Sequence, residues 1–569
     1  MKKKNFMPVL IIISLIVIIL GICGISALIK RYTPSKEVQD LSEYYNITSI
    51  EQIAIVFDDE LIETQAVFID GEMYLDYQFV HDNINPRFYW DANENILLYA
   101  MPDLLYQASA DSTSFVEGKT SIDFGSVVVK PTATSAYVHI DFVEKFSTMT
   151  YQYESEPSRL IIRTKFDDIT TATVKKDTQI RVLGGIKSAI LKEVTKGDSL
   201  FILEDYDDWL KVMSDDGIIG YMKTKCVSNQ ETVTLEHTSK DVTFTHNLRD
   251  YEICMAWHQV THQGANDDIA SILSDNDAIN VISPTWFYLN DNDGNLASYA
   301  STEYVNYCRN NNVEVWALFS NLENPDVDTE AVLTHTSSRQ HLVKQIISAA
   351  IQYDLDGINL DFEAIDISVG DAYIQFVREL SIVCENNGIT LSVDNYVPTD
   401  YTAFYNRKEQ GNFADYVIIM GYDEHYGGCD TAGSVASIGW VEQGLIDTLE
   451  SVEANQVILG MPFYTRVWST TPTADAGESF EVTSKVYGMR ATKTYLSSIG
   501  VEYAWDETSG QNYARWVDGN VVNEVWLEDT ASCEQRLKLL DTYQIAGASF
   551  WKLGFEADEV WDVIIKYIN

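Results

Sequence analysis

Basic residues are scarce in this chain. Its 569 residues carry 39 Lys and Arg against 85 Asp and Glu, a formal net charge of −46 at pH 7. A polyanion such as nucleic acid is repelled by that charge, which argues against a DNA or RNA partner, whereas a neutral glycan meets no such barrier. Cysteine is sparse too. Of the seven, Cys23 lies in an apolar N-terminal stretch, and Cys226, Cys254, Cys308, Cys384, Cys429 and Cys533 are scattered with no Cys-x-x-Cys spacing. That excludes a disulfide scaffold and gives zinc or redox motifs no support, so these residues read as small core fillers. There is no histidine cluster suited to copper, and the acidic runs lack the glycine-turned loop of a calcium motif. The sequence therefore calls for no metal and no cofactor.

Apolar residues are not scarce. Hydrophobic residues make up 46% of the chain and aromatics 12%, enough for sizeable cores and too much for disorder. The length suggests about three or four domains. Lys2, Lys3 and Lys4 precede an uncharged apolar stretch from Met7 to Leu28, which Lys30 and Arg31 follow. That is long enough to span a bilayer, longer than the apolar core of an ordinary cleaved leader, and the leading lysines favour an inside amino end. We read residues 1–31 as a cytoplasmic tip and a single-pass signal anchor, with the rest of the chain extracytoplasmic.

Residues 32–49 are polar enough for a linker. From 50 to 166 the pattern is short and strand-like, with turn signals such as Asp70-Gly71. Residues 174–228 form a second β-rich unit. From 245 to 569 strand patterns alternate with amphipathic helical ones. Candidate strands are Ile253–Gln259, Asn280–Tyr288, Val313–Ser320, Gly357–Glu363, Thr390–Asn395, Tyr416–Met420, Val457–Pro462 and Ala548–Lys552. This predicts an α/β fold, a (β/α)8 barrel, with a small α+β insertion at about 468–540 between the seventh and eighth strands.

The most informative segment reads Asp354-Leu-Asp-Gly-Ile-Asn-Leu-Asp-Phe-Glu-Ala-Ile365. In a strand, alternate side chains face opposite sides, so Ile358, Leu360 and Phe362 form one apolar face and Asn359, Asp361 and Glu363 the other. Such polar groups are expensive to bury without mutual hydrogen bonds. They end a strand where α/β barrels deliver catalytic groups. A solvated edge would not need an unbroken apolar opposite face.

Asp356-Gly-Ile-Asn-Leu-Asp-Phe-Glu363 resembles the Asp-x-x-Asp-x-Asp-x-Glu signature of glycoside hydrolase family 18, the chitinase family. Met420-Gly-Tyr-Asp423, Gly460-Met-Pro-Phe-Tyr-Thr-Arg466-Val-Trp468 and Trp551 resemble its sixth-, seventh- and eighth-strand motifs. The resemblance implies a substrate-assisted reaction, in which the sugar's 2-acetamido oxygen is the nucleophile. It implies that Glu363 is the acid, that Asp361 holds the acetamido N–H and that Tyr422 bonds the acetamido oxygen. Asp423 would position the sugar and Trp551 would floor the −1 sugar. Met420, Arg466 and Trp286, near strand ends, are candidate substrate-binding residues. Trp316, Asn321, Asn395, Tyr396 and His425 are further candidates for the subsites, each equally readable as structural.

The signature's middle Asp is here Asn359, an amide that can hydrogen-bond Asp361 and hold its orientation but cannot share its proton. Asn at this position resembles the wall-acting subgroup that includes spore cortex-lytic N-acetylglucosaminidases. Residues 174–228 resemble bacterial SH3 domains, with Trp209 and Tyr221 at aromatic positions. Residues 50–166 resemble the N-terminal stalk of copper amine oxidases, a module of Gram-positive surface proteins. The expected partner is peptidoglycan or a chitin-type glycan, the expected state a monomer. The alternatives are a chitinase or a catalytically silent, lectin-like barrel.

Overall fold

The computed structural model describes residues 7–274, 276–473 and 480–568. Lys2, Lys3 and Lys4, called on for the anchor's orientation, lie outside these residues. The chain divides into two units.

The first unit comprises the chain up to Phe88, Ser109–Phe115 and Asp123–Asp241. It opens with the helix Met7–Tyr32, whose mean hydropathy of 3.1 and length suffice to cross a membrane. Next comes a seven-stranded sheet centred on Gln52–Phe57, which pairs parallel to Ser158–Arg163 and antiparallel to Glu60–Ile69. A second seven-stranded sheet spans Asp168 to Thr234 around a core that includes Val174, Ile180, Leu200, Leu210 and Met222. Trp209 and Tyr221 remain half-exposed there, with the Lys223 ammonium over the Trp209 ring at 5.6 Å.

The second unit holds Tyr89–Ala108, Val116–Ile122 and Val242–Asn569. Its barrel strands are β1 (Ile253–His258), β2 (Val281–Leu289), β3 (Glu314–Ser320), β4 (Gly357–Asp361), β5 (Thr390–Tyr396), β6 (Tyr416–Met420), β7 (Val457–Pro462) and β8 (Gly547–Trp551). Each pairs in parallel with the next, and β1 pairs with both β2 and β8, so the barrel closes. The expected strands correspond to these eight within about two residues at each end. Ile358, Leu360 and Phe362 point outward into the core beneath the helices and are at most 1% exposed. Inside the barrel, Met255, Trp257, Val281, Trp316, Leu318 and Ile418 form a separate apolar plug. Gly357 opens β4 because a Cβ there would lie 2.6 Å from the Trp316 ring. Helix Gly370–Glu385, which follows β4, buries nearly every side chain against the strands.

Between β7 and β8 lies a five-stranded antiparallel sheet from Tyr464 to Leu527, with the helix Met489–Ser498. A further small sheet, much of it from residues 89–108 and 116–122, lies against the barrel helices. Asp91 Oδ2 accepts from the Thr336 N–H and hydroxyl, both at 2.6 Å, and the Arg339 guanidinium sits 4.9 Å from the Tyr89 ring.

Candidate active site

The polar face of β4 opens at the carboxyl end of the barrel. Asn359 is fully buried and all four of its amide positions are satisfied. Trp257 Nε1 and Ser283 Oγ donate to its Oδ1 at 2.9 and 3.0 Å, while its Nδ2 donates to Ser392 Oγ at 3.1 Å and Asp394 Oδ1 at 2.8 Å. An indole N–H can only donate, so the amide oxygen must face Trp257 and the NH2 must face Asp394. This corrects one expectation: Asn359 bonds Asp394 on the adjacent strand, not Asp361. The reason lies in β-geometry, which turns a side chain toward its cross-strand neighbours more readily than toward residue i+2 on its own strand.

Asp361 is half-buried, and its Oδ1 is shielded from water with no hydrogen-bond partner among the described residues. Burial, then the nearby Asp394, Glu363 and Glu323 carboxyls, push its pKa well above the ordinary Asp value. Asp394 is likewise raised well above that value, first by burial and partly offset by the bond from Asn359. Glu363 sits two residues past Asp361, just beyond the strand. Burial raises its pKa, a hydrogen bond from Tyr396 opposes the rise, and Asp423 and Glu323 add to it. A carboxyl held up in this way keeps its proton to higher pH than an ordinary glutamate, a property that suits a general acid.

The Glu363 peptide is clamped. Its N–H donates to Asn321 Oδ1 at 2.8 Å and its carbonyl accepts from Asn321 Nδ2 at 2.9 Å. The next residue, Ala364, has φ +53°, and its N–H donates to the Tyr396 hydroxyl at 3.2 Å. Tyr405 Oη donates to the Phe362 carbonyl at 3.1 Å. Asn321 and Tyr396 thus brace the acid from beneath.

Around this centre, Tyr422 follows β6 and sits edge-on to Trp257 and Tyr464, with centroids 6.5 and 6.2 Å away. Asp423, at φ +62°, accepts from Tyr464 Oη at 2.6 Å and lies 3.5 Å from Arg466 Nη2. Trp551 ends β8, half-exposed and edge-on to Trp257 at 5.9 Å. Met420, 8% exposed, ends β6. The structure therefore brings Asn359, Asp361, Glu363, Met420, Tyr422, Asp423, Arg466 and Trp551 to one end of the barrel.

Trp286 does not join them, which is a second correction. It is fully buried in the layer beneath the helices, with Nε1 donating to Asn266 Oδ1 at 2.8 Å and its ring against Tyr304. The pleat of β2 sends it outward, while Ser283 and Thr285 take the alternate face. Trp316 is also fully buried, stacked on Tyr416 at 5.3 Å in the plug. Asn395 faces outward and exchanges hydrogen bonds with Gln410. His425 Nδ1 lies 2.9 Å from the Ser434 carbonyl within its loop. Trp257, Ser283, Ser392 and Asp394 were not anticipated. The signal for Asp394 was present, because alternation along β5 puts Ser392, Asp394 and Tyr396 on one face. Among the described residues, no group of three or more His, Cys, Asp or Glu is arranged to hold a metal ion.

The fold is a closed parallel barrel with carboxyls of raised pKa gathered at its carboxyl end. Residues 285–556 match the profile of Glycosyl hydrolases family 18, which together with the relatives that follow makes the barrel a glycoside hydrolase. The chain is 25% identical over 363 residues to the uncharacterized glycosylase YvbX of Bacillus subtilis (strain 168), covering 61% of this chain and 95% of that protein. It is 25% identical over 287 residues to a cortical fragment-lytic enzyme of the same organism, covering 49% of this chain and 65% of that protein. The crystal structure of the Bacillus cereus spore cortex-lytic enzyme SleL shares the fold, with a TM-score of 0.50 and 20% identity over 60% of this chain and 77% of that one.

Proposed function

We propose that the protein is a membrane-anchored, wall-facing glycosidase that hydrolyses β-1,4 bonds at N-acetylglucosamine in peptidoglycan, with retention of configuration. The observation that carries this reading is the pairing of Asp361 and Glu363 on one inward face, with Tyr422 and Trp551 beside them. Glu363 protonates the glycosidic oxygen as the C1–O bond breaks, and its electron pair leaves on that oxygen. The substrate's acetamido oxygen forms the new bond to C1, so no protein nucleophile is needed. Asp361 accepts the acetamido N–H and stabilises the positive charge of the cyclic intermediate, while Tyr422 donates to the acetamido oxygen. Glu363, now a carboxylate, takes a proton from the water that attacks C1, which restores both the acid and the acetamido group. Trp551 offers a flat apolar floor to the sugar face.

The wall assignment is supported by the apolar helix Met7–Tyr32, by Asn359 and by similarity to cortical fragment-lytic enzymes. The β-rich unit at 174–228 fits a role in holding the barrel near the wall. Mass spectrometry of products from purified peptidoglycan and chitin oligomers tests the reading. Release of fragments ending in N-acetylglucosamine from peptidoglycan supports it. Cleavage of chitin oligomers alone would make the protein a chitinase, and no product from either would leave a silent glycan-binding barrel.

A further inference from the structure

We infer that Asp361 and Asp394 act as one acid pair holding a single proton, and that Asp394 is the positioning residue that sets the charge state of Asp361. The catalytic meaning of this pair rests on the function proposed above.

The argument begins with register. β4 and β5 run parallel with Asn359 beside Ser392 and Leu360 beside Val393, so Asp361 and Asp394 occupy the next rung on the same inward face. Asn359 then fixes Asp394. Its amide cannot flip, because Trp257 Nε1 holds the oxygen end, and its Nδ2 donates to Asp394 Oδ1 at 2.8 Å. Asp394 Oδ1 takes that donor, and the Asp394 carboxyl is close enough to act on Asp361 electrostatically. Asp361 in turn presents a shielded Oδ1 with no partner among the described residues. A proton on Asp394 supplies the missing hydrogen. Two adjacent carboxyls shielded from water, with one proton between them, carry a single negative charge instead of two, the state such pairs adopt.

The other titratable groups facing the pair do not neutralise it. Glu363 and Glu323 are acidic, and the Tyr422, Tyr373 and Tyr405 phenols feel the same negative field. The carboxyl that the family signature places at 359 thus stands on the neighbouring strand at 394, with an amide in its former position. In turnover the proton rests on Asp394 while the Asp361 carboxylate accepts the acetamido N–H. It is shared again when the sugar leaves, so the pair neither gains nor loses a proton overall.

The test uses the purified full chain in detergent, with Asp394→Asn and the swap Asn359→Asp/Asp394→Asn, each checked for folding by thermal melting. Asp394→Asn keeps the shape and an acceptor for Asn359. It should lower kcat on chitin oligomers or peptidoglycan on the order of 10²-fold, with KM little changed and the alkaline limb of the pH profile altered. The swap, which returns a second carboxyl next to Asp361, should recover much of the loss. Wild-type kcat and pH profile in Asp394→Asn, or a folded swap that recovers nothing, would overturn the pair. A second readout needs no turnover. The infrared difference between wild type and Asp394→Asn at pH 7 should contain a protonated-carboxyl band that returns in the swap, and its absence overturns the inference. If the wild type releases no sugar while the band is present, the glycosidase reading fails and the pair stands.

Discussion

The amide of Asn359 donates to Asp394 across the β4–β5 ladder at 2.8 Å, while Trp257 and Ser283 pin its oxygen from the other side. An amide is the one neutral group that can accept from two donors and donate to two acceptors here. It holds a carboxyl on the adjacent strand without adding a charge to a site that already carries Asp361, Glu363 and Asp394.

Asn359→Asp should therefore change the pH dependence of activity. The new carboxyl would face Asp394 at hydrogen-bond distance, and the two can coexist only while a proton lies between them. The variant should lose kcat/KM earlier than wild type on the alkaline side. Profiles from mildly acidic to mildly alkaline pH check this, and superimposable curves would contradict it.

Glu363→Gln removes the acid and leaves its shape. We expect kcat to fall by roughly 10²- to 10⁴-fold, with binding of chitin oligomers retained. Calorimetric binding beside a reducing-end assay separates the two effects, and an unaffected kcat would remove Glu363 from its assigned role.

Tyr396 bonds the Glu363 carboxylate and accepts from the Ala364 N–H at 3.2 Å. Its bond opposes the rise in the Glu363 pKa, so Tyr396→Phe should raise that pKa further. The alkaline limb, where the acid loses its proton, should move to higher pH while kcat falls about tenfold or more from looser placement of the acid. A limb that moves to lower pH would count against the assignment.

The raised carboxyls also predict a stability trade. Asp361, Asp394 and Glu363 titrate above their ordinary values in the folded protein, chiefly because burial disfavours the charge. The stability they lend is full at pH values below the unfolded carboxyl range of about 4 and is lost as pH rises through the raised folded values. Asp361→Asn should accordingly raise Tm at neutral and alkaline pH, with the gain vanishing in acid. Melting curves across pH decide the point; a lower Tm at pH 8 would refute it.

Away from the site, Arg339 is buried with Glu379, which accepts from Nε and Nη2 at 3.3 and 3.2 Å. Arg339→Met leaves that buried carboxyl with the Gln375 amide but without its cation, and should destabilise the second unit by about 3–5 kcal/mol. Denaturant unfolding measures it.

Strand alternation made the two faces of β4 readable from the residues alone: Ile358, Leu360 and Phe362 point outward because burial of an apolar face fixes the register. The barrel was legible for the same reason, since strand and helix patterns repeat locally. Trp286 misled because an aromatic near a strand end looks the same in sequence whether the pleat sends it into the cleft or beneath the helices. No short motif carries Asp394; its importance comes from a neighbour 35 residues away in sequence.

The sequence by itself determined the fold class and the inward triad on β4, because each follows from side-chain periodicity, and its contiguous motifs marked Glu363 as the proposed acid. Only the tertiary structure decided which carboxyl faces Asp361, which amide end of Asn359 faces which strand, and what braces Glu363. Those are contacts between different strands and loops, set by parallel register and by the donor-only chemistry of Trp257, and neither is written in any single stretch of residues.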